Sequence, residues 1–528
     1  MPDTEIIDLP DLLGQLKDIV SAEDLLLDEE SRVFFSQDVY EKVDPVLAVV
    51  KARTTEQVAE VVGACTAMGT AVIPRGGGMS YTSGYIPVEK DSVMLDMSAM
   101  NEILEINTED MYVTVQAGVT WKQLSEALQD TGLRTPFWGT LSGLHATVGG
   151  GASQNCAFWG SGRYGAGADS IVGLEVVLAN GTVITTGAGA QVNSQPHFRH
   201  FGPDLTGLFC GDTGAFGFKT KVTLKLIPAR QERRFISFEF ENYETMLASM
   251  SAIARSQRSM ECFAFDPYLQ SQRLKRESLA KDLKQLKGVM KSSGSVVGAL
   301  KDGAKVALAG RGFMKGVKFS AHCSIEEHTA AAAEAALQAV RELGVSNGGK
   351  EIENSLPKIN RANPFMPVNS MIGPNGERWA PIHALVSHSK CQQVYSDIEA
   401  LFERHAEVME KFSINHGALV ATVDTNMVII EPVLYWEDEI TEIHQHYVED
   451  SVLNNIKGYE QNLAAREFVD QLKVELTDLF REAGTVHFQI GKAYQYLEGI
   501  APANQKLIAA IKNILDPERR VNPGSLGL

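Results

Sequence analysis

The chain has 528 residues, a formal net charge of −18, 44% hydrophobic and 22% charged residues. That length asks for two or three domains rather than one core, and the acidity argues against nucleic acid as a partner, because phosphate binding needs a positive field. No apolar run reaches the roughly 18–20 residues of a membrane span, the acidic start Met1-Pro2-Asp3-Thr4-Glu5 lacks the basic and apolar regions of a signal peptide, and the six cysteines without a Cys-x-x-Cys pair read as reduced thiols.

In chain order, residues 1–45 are acidic with Leu and Ile at helical intervals and read as a helical lead-in. From Val46 the pattern is strand, helix, strand, with Thr54-Thr55-Glu56-Gln57 supplying a helix start before a helix to Met68. The apolar Thr70-Ala71-Val72-Ile73 then runs into Pro74-Arg75-Gly76-Gly77-Gly78-Met79-Ser80. A strand ending in that run leaves backbone amides uncovered, and successive N–H groups form an anion nest. Short strands follow near 92–96, 103–106 and 112–118, then a helix over 120–132.

A second glycine cluster, Gly149-Gly150-Gly151, lies in the stretch from Gly143 to Asn155, and Gly160-Ser161-Gly162-Arg163-Tyr164-Gly165 comes soon after. Neither cluster ends in the Gly-Lys-Ser/Thr of a P-loop or carries the spaced glycines of a dinucleotide-binding turn. Two such clusters together point to a long ligand with a diphosphate. Asn180-Gly181 between apolar runs predicts a hairpin, the strand over 220–227 stops at Pro228, and a new αβ pattern starts with Phe235–Phe240 and a helix from Tyr243.

Arg75–Ser80, Thr147–Gly151, Gly162–Gly165, Ile171–Gly181, Gly211-Asp212-Thr213-Gly214-Ala215-Phe216-Gly217-Phe218 and Leu515–Gly524 resemble the FAD-binding part of the vanillyl-alcohol oxidase and p-cresol methylhydroxylase superfamily. The resemblance runs with gaps from about Val46 onward. It implies an α+β fold: a two-part PCMH-type FAD-binding domain over 46–230, an α/β cap or substrate domain with an antiparallel sheet over 231–500, and a return to the FAD domain over 501–528.

The resemblance also implies the cofactor contacts. Gly76, Gly77 and Gly78 with Arg75, Met79 and Ser80 would hold the diphosphate. Thr147, Gly150, Ser153, Asn155 and Gly162 would line the path of the ribityl chain. Arg163 and Tyr164 would order the loop or the cofactor, His145 would hydrogen-bond near it, and Asn522 would lie by the flavin. No histidine stands at either attachment position of the superfamily, so the FAD is expected to be dissociable.

For chemistry, His487 is the first candidate base, because an imidazole can take a hydroxyl proton while a hydride leaves carbon. His416, Tyr435 and Arg378 are accessory candidates. The phenolate-binding Tyr-Arg pair of the aryl-alcohol branch is replaced by Phe488-Gln489, and the metal-binding histidine pair of the hydroxy-acid branch is absent because position 423 is valine; no metal site is expected. The expected reaction is oxidation of an alcohol, aromatic or benzylic in type, by hydride transfer to FAD, with dioxygen or another electron acceptor. A D-2-hydroxy acid is the alternative substrate, and a non-catalytic electron-relay subunit is the alternative of another class. Nine Lys or Arg between Lys281 and Lys318, against Asp282 and Asp302, mark a basic insertion. It is a candidate contact for a membrane surface or a redox partner. A cytoplasmic protein, with membrane association as the alternative, and a homodimer are the remaining expectations.

Overall fold

Local signals set the first elements as the sequence reads them. Thr54 caps the helix Thr55–Ala67 by accepting the Gln57 amide, and Thr120 closes a capping box with Gln123 on the helix Trp121–Leu128. Each satisfies amides that a helix start leaves without partners. The computed structural model describes residues 9–276 and 316–528. Most of the basic insertion, residues 281–315, therefore lies outside the described residues. At its far end Lys318 pairs with Glu241 at 2.9 Å.

Two units form. The first takes in the chain up to Cys156, Gly167–Pro228 and Phe488–Leu528; the second takes in Ala157–Ala166 and Ala229–His487. Among the described residues the first unit contains two larger sheets and a two-stranded pairing of Leu133–Arg134 with Ile227–Pro228. In one, Val72–Arg75 and Ala48–Lys51 flank Val93–Asp96 in parallel, with Leu25–Leu26 added antiparallel. In the other, five antiparallel strands run in the order Ile103–Asn107, Tyr112–Gln116, Phe218–Lys225, Ile171–Val177, Val183–Thr185. The Asn180-Gly181 hairpin forms as read: Gly181 has φ +78° and Val177 faces Val183 across the ladder. This is the mixed α+β architecture of a two-part domain.

The lead-in does not stand apart. Leu12 and Leu16 on the helix Leu9–Ile19 are fully buried in one cluster with Val58, Val61 and Val62, because the apolar stripe of a short helix must find cover. The return to the first unit begins at Phe488 rather than near 501: the Gln489 amide donates to Gln154 O and the Lys492 amide to Thr82 O.

The second unit is built on an eight-stranded antiparallel sheet. Its order is Lys350–Ile352, Glu232–Phe240, Phe319–Glu327, Glu261–Phe265, Asn415–Val423, Met427–Trp436, Arg378–Pro381, with Ala384–Ser387 also on Met427–Trp436. Its helices include Tyr243–Ser256, Ala330–Ser346, Cys391–Arg404 and Leu463–Glu482. One buried line is polar. Ser320, His322, Ser324 and Glu326 alternate along one strand with Ala321, Cys323 and Ile325, and all are buried. Each is hydrogen-bonded: His322 to Ser237 at 2.8 Å and Ser320 at 3.0 Å, Ser320 to Gln270 at 2.6 Å, Ser324 to Glu261, and Glu326 to Arg361.

Candidate functional site

The first unit holds a cleft with about 940 Å³ of empty space, part of it open to solvent. Arg75, Gly76, Gly77, Gly78, Met79 and Ser80 form one wall; Thr147, Gly150 and Ser153 stand on another. The two glycine clusters do converge. A Cβ placed on Gly76 would fall 2.4 Å from Thr147 Oγ1, and one on Gly77 would fall 1.9 Å from His145 O. Only glycine permits that approach.

Arg75 braces the first loop. It is buried, and its guanidinium lies 4.5 Å from the Phe35 ring centroid and 5.3 Å from that of Tyr85, whose hydroxyl donates to Gly78 O. The second glycine cluster differs from its reading as an open nest. Val148–Gln154 is a short helix capped by Thr147, and its glycines serve close packing instead: a Cβ on Gly149 would meet Ala117 at 2.5 Å.

Several expected cofactor residues do not line the cleft. Asn155 ends the short helix in the left-handed region and accepts the Ala168 amide. His145 contributes its carbonyl to the approach of Gly77 and does not itself line the wall. Asn522 is buried and donates to Gly84 O at 2.9 Å and Thr213 O at 2.7 Å, tying the C-terminal segment beside the first strand. Gly162, Arg163 and Tyr164 belong to the second unit. There Gly162 abuts Met260 O and Thr422, and Arg163 pairs with Glu327 at 2.9 Å. Their place between glycines in sequence says nothing of which unit the excursion joins.

The four catalytic candidates of the second unit do not form one cluster. His416 stacks on Phe402, with ring centroids 4.1 Å apart, and burial lowers its pKa to about 4. Arg378 is buried, lies 5.5 Å from the Trp436 ring centroid and donates to Glu439 O. His416 pairs with Leu434 and Arg378 with Trp436, whereas Tyr435 pairs with Asn415. The period of two in a strand therefore puts Tyr435 on the opposite face, where its ring meets Tyr268 at 5.9 Å. His487 lies farther along, by the strand Ala384–Ser387, where Val486 and Leu385 exchange backbone bonds. Its Nδ1 is 2.8 Å from His383 O, and burial lowers its pKa to about 4. A carbonyl only accepts, so the proton sits on Nδ1 and the lone pair on Nε2.

Residues 46–187 match the family described as FAD binding domain. The chain carries an FAD binding domain. Over 206 residues, 39% of this chain, it is 32% identical to the glycolate oxidase subunit GlcD of Bacillus subtilis (strain 168), covering 42% of that relative. Over 219 residues, 41% of this chain, it is 32% identical to the mitochondrial D-lactate dehydrogenase [cytochrome] of Arabidopsis thaliana, covering 37% of it. The matched stretch thus spans less than half the length of these curated relatives. Among solved structures, p-cresol methylhydroxylase with substrate bound superposes with a TM-score of 0.73 over 98% of this chain and 96% of its own, at 18% identity. The fold is that of the PCMH-type flavoproteins.

The cleft fits FAD: a close approach of two walls at Gly76 and Gly77 that a Cβ would break, and hydroxyl-bearing Ser80 and Thr147 in the lining. Sequence reasoning missed part of its lining. Trp121, Gln154, Lys219 and Gln489 all contribute. Lys219 pairs with Asp212, which also accepts the Gly214 amide. Its signal was at hand, two residues beyond the Gly211–Gly217 motif. Gln489 has φ +50°, and nothing local announces that.

Proposed function

We propose that the protein oxidises an alcohol to a carbonyl with FAD, and that His487 is the base that takes the hydroxyl proton. The carrying observation is the state of that imidazole: Nδ1 held by His383 O, and a pKa near 4 that leaves Nε2 unprotonated at neutral pH. Bound FAD supplies a two-electron acceptor for the hydride. In that chemistry His487 Nε2 would take up the proton of the substrate hydroxyl.

Gly76–Gly78, Ser80 and Thr147 would hold the cofactor, and Arg75 would keep the loop in shape. Cofactor binding is reversible in this reading: Cys156 lines the cleft, but burial raises its thiol pKa and keeps it protonated, and a thiol is a poor nucleophile. An aromatic or benzylic alcohol is the preferred substrate, supported by the Phe480 ring 5.9 Å from that of His487. The D-2-hydroxy acid reading is favoured by a different observation, the 32% identity to a glycolate oxidase subunit and a D-lactate dehydrogenase. Dioxygen or another acceptor closes the cycle.

The test is anaerobic mixing of the FAD-loaded protein with aryl alcohols and with D-2-hydroxy acids, following the loss of flavin absorbance. Bleaching by aryl alcohols alone supports the first reading and bleaching by hydroxy acids alone the second. Bleaching by neither would leave an electron-relay role.

A further inference from the structure

The acidic segment before Val46, which the sequence reads as a helical lead-in, braces the cofactor loop of the first unit at two points. Phe35, at the end of the helix Glu29–Phe35, carries the Arg75 guanidinium on its ring, 4.5 Å from the centroid. Beyond it the chain turns back on itself, with Gln37 and Lys42 paired antiparallel. Asp38 stands in that turn and is 1% exposed. The two oxygens of its carboxylate have separate tasks. Oδ1 accepts the amides of Tyr40 at 2.8 Å and Glu41 at 2.7 Å, which closes the turn itself. Oδ2 accepts the Ser83 amide at 2.8 Å, 45 residues away in sequence.

Ser83 lies just past the glycine loop, between Ser80 and Gly84, which both line the cleft. Its φ is +56°, a left-handed conformation that a serine keeps only where its surroundings impose it. The turn supplies that constraint. Besides the bond to Asp38 Oδ2, the Ser83 hydroxyl donates to Glu41 at 2.7 Å and the Val39 amide donates to Ser80 O at 3.1 Å. The C-terminal segment adds two more ties, from the Lys492 amide to Thr82 O and from Lys492 Nζ to Ile86 O.

We propose that Asp38 is a positioning residue for the cofactor: through Oδ2 it fixes Ser83, and so holds the Ser80–Gly84 stretch of the cleft in the shape that binds FAD. This role rests on the reading that Gly76–Ser80 holds FAD. Ionisation matters to it. A carboxylate accepts all three amides, whereas a protonated carboxyl or a carboxamide turns an O–H or N–H toward one of them. Burial pushes the Asp38 carboxyl up to about 6 against the pull of the three amides, with Glu41 adding to the rise. Lys492 is the cation that acts on Glu41, and burial lowers its own pKa to about 7. The loaded chain keeps Asp38 ionised to lower pH than the empty one, so FAD affinity falls as pH drops through about 6. The competing account is a carboxylate that only closes its own turn and steadies the fold.

The experiment compares the FAD-loaded full chain with its Asp38→Asn variant. It reads the FAD dissociation constant from flavin fluorescence on dilution, and Tm with and without excess FAD. Asp38→Asn is expected to weaken FAD roughly tenfold or more, the scale of a charge-assisted hydrogen bond lost with its donor left buried, and to shrink the rise in Tm that FAD gives. A carboxylate that only steadies the fold would lower Tm equally with and without FAD and leave the dissociation constant unchanged, which overturns the proposal. Between pH 8 and pH 5 the wild-type chain is expected to lose FAD affinity below about 6, and Asp38→Asn to show no such step. The wild-type measurement stands alone where the variant fails to fold, and an affinity flat down to pH 5 also overturns the proposal. Gly77→Ala keeps the two readings apart. FAD weakened by Gly77→Ala but not by Asp38→Asn defeats the role of Asp38 alone; FAD unchanged in both variants defeats the loop reading as well.

Discussion

The two units solve opposite problems. In the FAD domain the site is made by removing side chains, so that Gly76 and Gly77 bring the backbone against Thr147 and His145. In the second unit the notable groups are side chains packed into a sheet: His322 and Glu326 buried in a satisfied polar line, His416 under Phe402, His487 against His383. The first arrangement tolerates no added atom, and the second depends on which face a residue reaches. Cofactor retention and chemistry should therefore separate cleanly between the units.

Substitutions can break that separation. The largest effect is expected for His487→Ala: FAD is kept, and the rate of anaerobic flavin reduction falls by roughly 10²–10⁴, the usual contribution of a general base. Loss of the yellow colour in that variant would erase the contrast. Gly77→Ala should do the reverse, because its new methyl meets a backbone carbonyl rather than a flexible tip. A cost of about 1–3 kcal/mol in FAD affinity or folding is expected, read from FAD titration of the apoprotein and from Tm.

The histidines sharpen the comparison through pH. Burial lowers the pKa of His416 and of His487 to about 4, from an ordinary histidine value of about 6.5. As pH falls, the unfolded chain takes up these protons first. The stability they contribute is therefore present above about 6.5 and is lost progressively down to about 4. Tm measured across that window should drop, and His416→Leu should flatten the drop while leaving FAD binding intact. Turnover should keep its base unprotonated down to about pH 4. The smallest effect is expected for Thr120→Ala, which removes a capping box on the helix that carries Trp121. It should lower stability by about 0.5–2 kcal/mol in thermal unfolding with little change in flavin reduction.

Legibility followed the same division. The glycine runs, the Thr54 and Thr120 caps and the Asn180-Gly181 hairpin were readable because each is a constraint carried by neighbouring residues. The open nest expected at Gly149-Gly150-Gly151 is instead a short helix, because Thr147 caps it and Ala117 packs against it. Trp121 and Gln489 were not readable as cofactor-cleft residues, since no local pattern brings positions so far from the glycines to the same wall. The strand Phe319–Glu327 makes the point most sharply. Its polar and apolar residues alternate, yet both its faces are buried.

By itself the sequence determined the cofactor class, the mixed α+β fold and the caps and turns, because each is written in short-range sterics and backbone hydrogen bonding. Only tertiary structure decided that Arg163 leaves the cofactor cleft for a carboxylate in the second unit and that Tyr435 and His416 face opposite ways. It also decided that the His487 imidazole is pinned to a carbonyl 104 residues away in sequence. Those outcomes depend on strand register and on long-range burial, which no stretch of neighbouring residues encodes.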